Sequence, residues 1–574
     1  MRIRRSNTVF QADVGWVAVV VFLAGCGKIL GLDEFVDTPG GPAAGSSGGT
    51  SDGGSGVASS GGGGGSGEPP TVPILRLPRN DAYLGAQRKI GSLRPRFVWE
   101  ASTSFSGVSI DYELQYGADP ELTNAVSITT ELTEYQPEED LAIALLPPVG
   151  RRYYWRVRAC AQGACSEYSR VRWLNVGRTR CDYNADGYDD VAISAYGRSP
   201  TSSAIYFYYG VPGAQFDLVD DGIVFSPSGA NDGFGISLSC AGDVDGDGYA
   251  DALVGAPYRD NAFVYRGSSR DRFSSDYIRL DGNSVEGFLG PYVSAAGDVN
   301  GDGFADVIVG TSGRSRLTAS LYLGGAAEID APIELELGER VEDLENATSL
   351  VSSAGDTNGD GFSDVMVLFH TADRDVVRIY HGNPGQGFDS TPRADLVDPS
   401  GHSRFVSSFG PAGDVNGDGF DDIIVGAMRD NRAYIYLGGR QGLETTPSVT
   451  LTGSDSFGVT VATVGDVDGD GFDDVAVADR SPRVLLYLGD DKSDLGEPDA
   501  AIYRDAVEDR TGQRLGSPGD VNGDGYSDFA IAMAEEDAVY LYFGRPVVAS
   551  SLTEDVSIAQ PPGDREFGFA VARR

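Results

Sequence analysis

The sequence predicts an all-β protein, a seven-bladed β-propeller preceded by a β-sandwich, and three observations lead there. A nine-residue acidic loop, D-x-D/N-x-D-G-x-x-D, occurs seven times, beginning at Asp182, Asp243, Asp298, Asp356, Asp414, Asp466 and Asp520. Differences between successive first aspartates are 61, 55, 58, 58, 52 and 54 residues, the length of one small sheet per repeat. Each loop is followed by two apolar β-type runs, such as ALVGA then AFVYRG in the second repeat and IIVGA then AYIYLGG in the fifth.

The loops read as calcium sites. Calcium takes several oxygens at once, and acidic or amide side chains at alternating positions with one backbone carbonyl can surround it. Positions one, three, five and nine would supply side chains and position seven a carbonyl. The sets are Asp182, Asn184, Asp186, Tyr188 and Asp190; Asp243, Asp245, Asp247, Tyr249 and Asp251; Asp298, Asn300, Asp302, Phe304 and Asp306; Asp356, Asn358, Asp360, Phe362 and Asp364; Asp414, Asn416, Asp418, Phe420 and Asp422; Asp466, Asp468, Asp470, Phe472 and Asp474; Asp520, Asn522, Asp524, Tyr526 and Asp528. Up to seven Ca2+ ions are expected. Position six is always glycine, where the chain must turn sharply. Position seven is always aromatic, with its ring expected to pack beneath its own loop. An EF-hand would need a glutamate at position twelve and flanking helices, whereas position twelve of the second loop is Val254 and strands follow.

These loops and strands resemble the FG-GAP repeat of integrin alpha-subunit propellers. The fullest copy is Phe234-Gly235, GDVDGDGYAD from Gly242, and Gly255-Ala256-Pro257. Phe457-Gly458 also fits, while Leu289-Gly290, Ala347-Thr348, Phe405-Val406 and Thr511-Gly512 stand elsewhere, and most copies lack the proline. The resemblance implies calcium in the hairpin between the first and second strands of each blade, and a ligand-binding, non-enzymatic propeller.

A propeller must cover the edges of its first and last blades. The chain finishes FGFAVARR, an FG strand without a loop after it, while the first loop has no convincing FG strand ahead of it. The C-terminal segment is therefore expected to supply the inner strand of blade one; the competing possibility is Arg172 to Gly177.

Ahead of the propeller, residues 1–25 combine Arg2, Arg4 and Arg5, an apolar stretch from Val14 to Ala24, and Leu23-Ala24-Gly25-Cys26. This resembles a bacterial lipoprotein signal whose cleavage leaves Cys26 lipidated. The apolar run is about half of the roughly 20 residues that span a bilayer. Gly27 after the cysteine is compatible with sorting to the outer membrane or cell surface. Residues 26–70 form a flexible Gly/Ser-rich tether, almost entirely glycine, serine, proline and alanine from Thr38 to Pro70, a stretch that cannot bury a core and spans roughly 30 Å as a random coil. Of the remaining cysteines, Cys160 with Cys165 and Cys181 with Cys240 are the expected disulfides, buried free thiols being the alternative.

Residues 71–177 lack the acidic loop. Phe97-Val98-Trp99, the alternating Tyr112 to Tyr116 and the longer alternation Arg152 to Ala159 read as strands, and together they resemble a fibronectin type III sandwich. Its expected role is a rigid spacer. The propeller then occupies 178–574.

The chain holds 85 acidic and 44 basic residues, a net charge of −41. This disfavours nucleic acid and anionic partners, which need basic patches; seven calcium ions would contribute +14 and leave about −27. The three histidines, His370, His381 and His402, pair with no nucleophile, and the G-x-S-x-G at Gly45 to Gly49 lies in the tether, where no strand-turn-helix can form. The expectation is an exported, membrane-anchored, monomeric calcium-binding lipoprotein that binds a protein or glycan on its propeller face. A polysaccharide lyase or hydrolase, or a purely architectural envelope component, are the alternatives.

Overall fold

The computed structural model describes residues 69–572, apart from 79–81, 85–92, 105–107, 179, 197–202, 214–221, 228–231, 270–275, 282–286, 314–315, 327–328, 330, 340–349, 371–373, 386, 390, 403–404, 482, 492–494, 504–513, 534–535 and 562–566. The signal, Cys26 and nearly all of the tether lie outside the described residues. Among the described residues strands dominate, and regular helix is limited to single 3-10 turns at Pro257–Arg259 and Met428–Asp430.

Two sheets make the N-terminal sandwich. One pairs Leu75–Leu77, Phe97–Trp99 and Glu134–Tyr135; the other orders Ala82–Leu84, Arg172–Val176, Arg151–Ala161, Asp111–Gly117 and Val126–Thr130, with Ala164–Cys165 folded back on the long central strand. Period-two alternation decides which side chains go inside. Tyr153, Trp155, Val157 and Ala159 are buried against Phe97, Trp99, Tyr112 and Leu114, while Arg156 and Arg158 point outward and stack on Tyr168. The turn at Gln162 and Gly163 takes positive φ at both residues and brings Cys160 opposite Cys165, where they form a disulfide. Arg172–Val176 is thus a sandwich strand and takes no part in the propeller.

Seven four-stranded antiparallel sheets follow. Their inner strands are Phe567–Val571, Leu238–Gly242, Gly287–Gly297, Val351–Gly355, Ser408–Gly413, Thr460–Gly465 and Arg514–Gly519, each packed on the next, and the last packs on the first. Second strands begin at Val191, Asp251, Asp306, Asp364, Asp422, Asp474 and Asp528, at or directly after the ninth position of each acidic loop. These strands are buried on both faces, which is why they read as continuous apolar runs.

Closure joins the two ends of the propeller sequence. Phe567–Val571 pairs antiparallel with Val191–Ala195, with Ile193 opposite Val571 and Ser194 opposite Ala570. Phe567 is fully buried and meets Tyr206 edge-on at 5.6 Å. The Cys181–Cys240 disulfide ties the chain just before the first loop to the inner strand of blade two, next to this seam. Replacing Phe567 by alanine removes a core ring from the closing strand and is expected to cost about 3–5 kcal/mol. Thermal unfolding checks this, and a melting temperature equal to that of the parent would show that the C-terminal strand does not close the ring.

Candidate metal centre

All seven acidic loops lie at one end of the ring, since each precedes the second strand of its blade. Their side chains first serve the backbone. In every loop the ninth-position aspartate is buried and clamps its own blade: one oxygen accepts from the second-position N–H and the other from the N–H of the glycine after the third strand. For Asp251 these come from Val244 and Gly267, both at 2.9 Å; for Asp474, from Val467 at 2.7 Å and Gly489 at 2.8 Å. Position one turns the loop, with Asp243 Oδ2 accepting from Gly248 N at 2.8 Å and Asp414 Oδ2 from Gly419 N at 3.0 Å. Position five accepts from the position-seven N–H, as in Asp302 to Phe304 at 3.0 Å. In the five loops with asparagine at position three, its amide donates to the position-five carboxylate, for example Asn300 to Asp302 at 2.9 Å and Asn416 to Asp418 at 3.1 Å.

Neighbouring loops are also stitched together. The eighth-position N–H of each loop donates to the first-position carbonyl of the loop before it, at 2.9 to 3.2 Å, all the way round to Asp189 N on Asp520 O. A second circuit runs from the N–H of the residue after each clamped glycine to the second-position carbonyl of the preceding loop, at 2.6 to 3.0 Å. Position-seven rings extend this pattern and correct one expectation. They do not simply pack beneath their own loops but lie over the position-four glycine of the preceding one: Phe304 on Gly246, Phe362 on Gly301, Phe420 on Gly359, Phe472 on Gly417, Tyr526 on Gly469 and Tyr188 on Gly523. A β-carbon at any of these glycines would collide with the ring, and each has φ between 72° and 78°. The sequence carries this signal as glycine at position four in six of seven loops.

After this bonding, oxygens remain that protein donors do not reach. Asp243 Oδ1, Asp298 Oδ1, Asp356 Oδ2 and Asp414 Oδ1 are buried without a hydrogen bond, a costly state for a carboxylate. In loops two and six the carboxylates of Asp243, Asp245 and Asp251, and of Asp466, Asp468 and Asp474, place oxygens within 4.8 Å of one another. Burial, followed by repulsion from Asp186 and Asp247 respectively, pushes Asp182 and Asp243 up to about 8. Burial alone leads the rise of Asp364 and Asp528 to about 8. Crowded, all-oxygen and partly unsatisfied, these loops fit a hard divalent cation held by positions one, three, five and nine.

The sandwich sits on this same end of the ring. Val149 N donates to Gly246 O of loop two at 2.9 Å. Arg152 lies 3.7 Å from Asp298 Oδ2 of loop three, and with Arg178 it draws that carboxyl back down against the upward push of burial. Arg170 donates to the Asp418 carbonyl and stacks over Phe420 of loop five at 4.8 Å, and Arg76 stacks over Phe472 of loop six at 5.0 Å. Three arginines of the sandwich thus meet the acidic end of the propeller.

The raised carboxyls set a pH dependence. A group whose folded pKa exceeds its ordinary value stabilises fully below the latter, here 3.8, and loses that contribution as pH rises through the folded value, here about 8. Chelated protein is therefore expected to melt lower at pH 9 than at pH 5, and calcium, which would bind the anionic form, is expected to abolish that fall. A chelated melting temperature that is flat or rises over this range would contradict it.

Comparison with known proteins agrees with the geometry. A model described as FG-GAP-like repeat matches residues 414–504, and one described as FG-GAP repeat matches 234–269 and 290–325. Integrin alpha-4 of Xenopus laevis is 32% identical over 170 residues, covering 26% of this chain and 16% of that protein. Integrin alpha-IIb of Mus musculus is 31% identical over 256 residues, covering 40% of this chain and 23% of that protein. The chain thus spans less than a quarter of the length of either relative. Among solved structures, the Dos1 propeller shares 7% identity at TM-score 0.38 over 64% of this chain and 87% of its own. The exotype rhamnogalacturonan lyase YesX shares 14% at 0.32 over 82% and 76%. Neither score is high enough to bear on function. Acidic loops, strand order and matched repeats together show that this chain carries FG-GAP repeats in a β-propeller similar to that of integrin alpha subunits.

Proposed function

We propose that the protein is a calcium-stabilised, non-catalytic binding module, exported and held at a membrane surface through Cys26, which takes a protein or glycan ligand on the end of the propeller away from the acidic loops. The observation that carries this reading is the seating of the sandwich: it covers loops two, three, five and six, so the loop end is taken up by an intramolecular contact. The opposite end is formed by turns between second and third strands and by crossovers between blades, the loop-rich surface that a rigid ring offers to partners. Integrin relatives supply the precedent for binding rather than chemistry. The clustered aspartates support the same reading, because each ninth-position carboxylate is already engaged by two backbone amides and is better placed to hold structure than to transfer protons.

Tyr258, 53% exposed in the Pro257–Arg259 turn, marks the open end. With calcium present, protein from residue 69 onward is expected to retain a defined component of the cell envelope. Tyr258→Glu combined with Arg259→Glu is expected to weaken retention at least tenfold, and Arg170→Ala, at the loop end, to leave it unchanged. Retention that is lost in the Arg170 variant and kept in the Tyr258 variant would place the ligand on the wrong end and overturn the assignment.

A further inference from the structure

On the open end lies a group of ligating side chains unlike the loops. Asp398 and His402 belong to the crossover from the outer strand of blade four, Ala394–Leu396, to the inner strand of blade five, Ser408–Gly413. Asp430 ends the turn between the second and third strands of blade five. His402 Nδ1 stands 3.2 Å from Asp398 Oδ2 and 3.1 Å from Asp430 Oδ2, and all three atoms fall within 4.8 Å of one another.

We propose that Asp398, His402 and Asp430 form a separate metal site for a borderline divalent cation of the zinc type. A ring nitrogen carries at most one proton, so it cannot give a full hydrogen bond to both carboxylates; an ion shared by all three satisfies them together. The spacing suits this, because ligands at about 2.0–2.1 Å around a tetrahedral ion lie about 3.3 Å apart. The buried partner is already oriented: the Asp398 side chain is 1% exposed and held by N–H donors of Ser400 at 2.8 Å and His402 at 2.7 Å, with further oxygen lone pairs left for the cluster. The neighbouring cation, Arg432, donates to Ser400 Oγ at 2.9 Å. His402 is 61% exposed, so a fourth position opens to solvent and water can fill it. An imidazole nitrogen also separates this site chemically from the all-oxygen loops, since nitrogen favours zinc, cobalt or copper over calcium. Bound there, an ion would pin blade four to blade five at the end of the ring that the loops do not reach.

The test uses the full chain without an affinity tag, saturated with calcium so that the loops cannot compete. Cobalt titration is expected to develop visible d–d bands at one ion per chain, with zinc displacing the cobalt. His402→Ala and Asp430→Asn, both at positions outside the core, are each expected to weaken cobalt uptake at least tenfold while leaving calcium-dependent melting unchanged. Absence of cobalt uptake by the parent protein, or uptake of equal strength by His402→Ala, would overturn the proposal, and neither result would touch the calcium reading of the loops.

Discussion

Crowding of carboxylates at the junctions between blades is the constraint around which this molecule is organised. A ring of seven sheets needs every blade tied to the next at one end, and here the ties are made by acidic loops whose backbone groups bond across each junction. The aspartates that shape those loops thereby converge in a buried, low-dielectric belt, where like charges repel strongly. The fold can keep that arrangement with protons on the carboxyls or with cations between them. A divalent cation is the partner that would let the loops stay ionised at neutral pH, and on the proposed reading metal binding and ring integrity are two descriptions of one balance.

The seam shows how completely the ring is closed. Where the two ends of the propeller sequence meet, the inter-loop hydrogen bonds continue unbroken through Asp189 and Asp520, Phe567–Val571 fills the inner position of blade one, and a disulfide braces blade two against the incoming chain. The sandwich then adds positive charge at the acidic end of the ring. Arg152 lies near the first carboxylate of loop three, where Arg178 from the start of the propeller joins it, and Arg170 and Arg76 lie over the aromatic rings of loops five and six. A domain that reads in sequence as a spacer is also a cationic cap.

Much of this was legible from residues alone, and the reasons are physical. The ligand pattern of a loop that must wrap an ion is short and local, so Asp243 to Asp251 and its six relatives stand out, as do the doubly buried strands behind them. The orphan FG strand at Phe567 pointed to closure because an uncovered edge is costly. What sequence could not give was long-range geometry. Arg76, Arg152 and Arg170 look like ordinary outward-facing positions of a β-sandwich, and only the docking of one domain on the other assigns them to particular loops. A linear reading makes the aromatic at position seven an anchor for its own loop, since it favours local partners, yet its contact is the glycine of the preceding loop in the ring, a whole blade away. His402 likewise seemed isolated because Asp398 and Asp430 meet it through a crossover and a turn from different hairpins.

The central claim is that cations occupy these crowded loops and hold the ring together. Calorimetric titration of calcium into metal-free protein, followed by melting of the same samples, tests it most directly. The account expects uptake of several ions per chain with a matching rise in melting temperature, lost in part when Asp243 and Asp466 are changed to alanine. Heat at the level of dilution alone, with identical melting curves in calcium and in chelator, would contradict it.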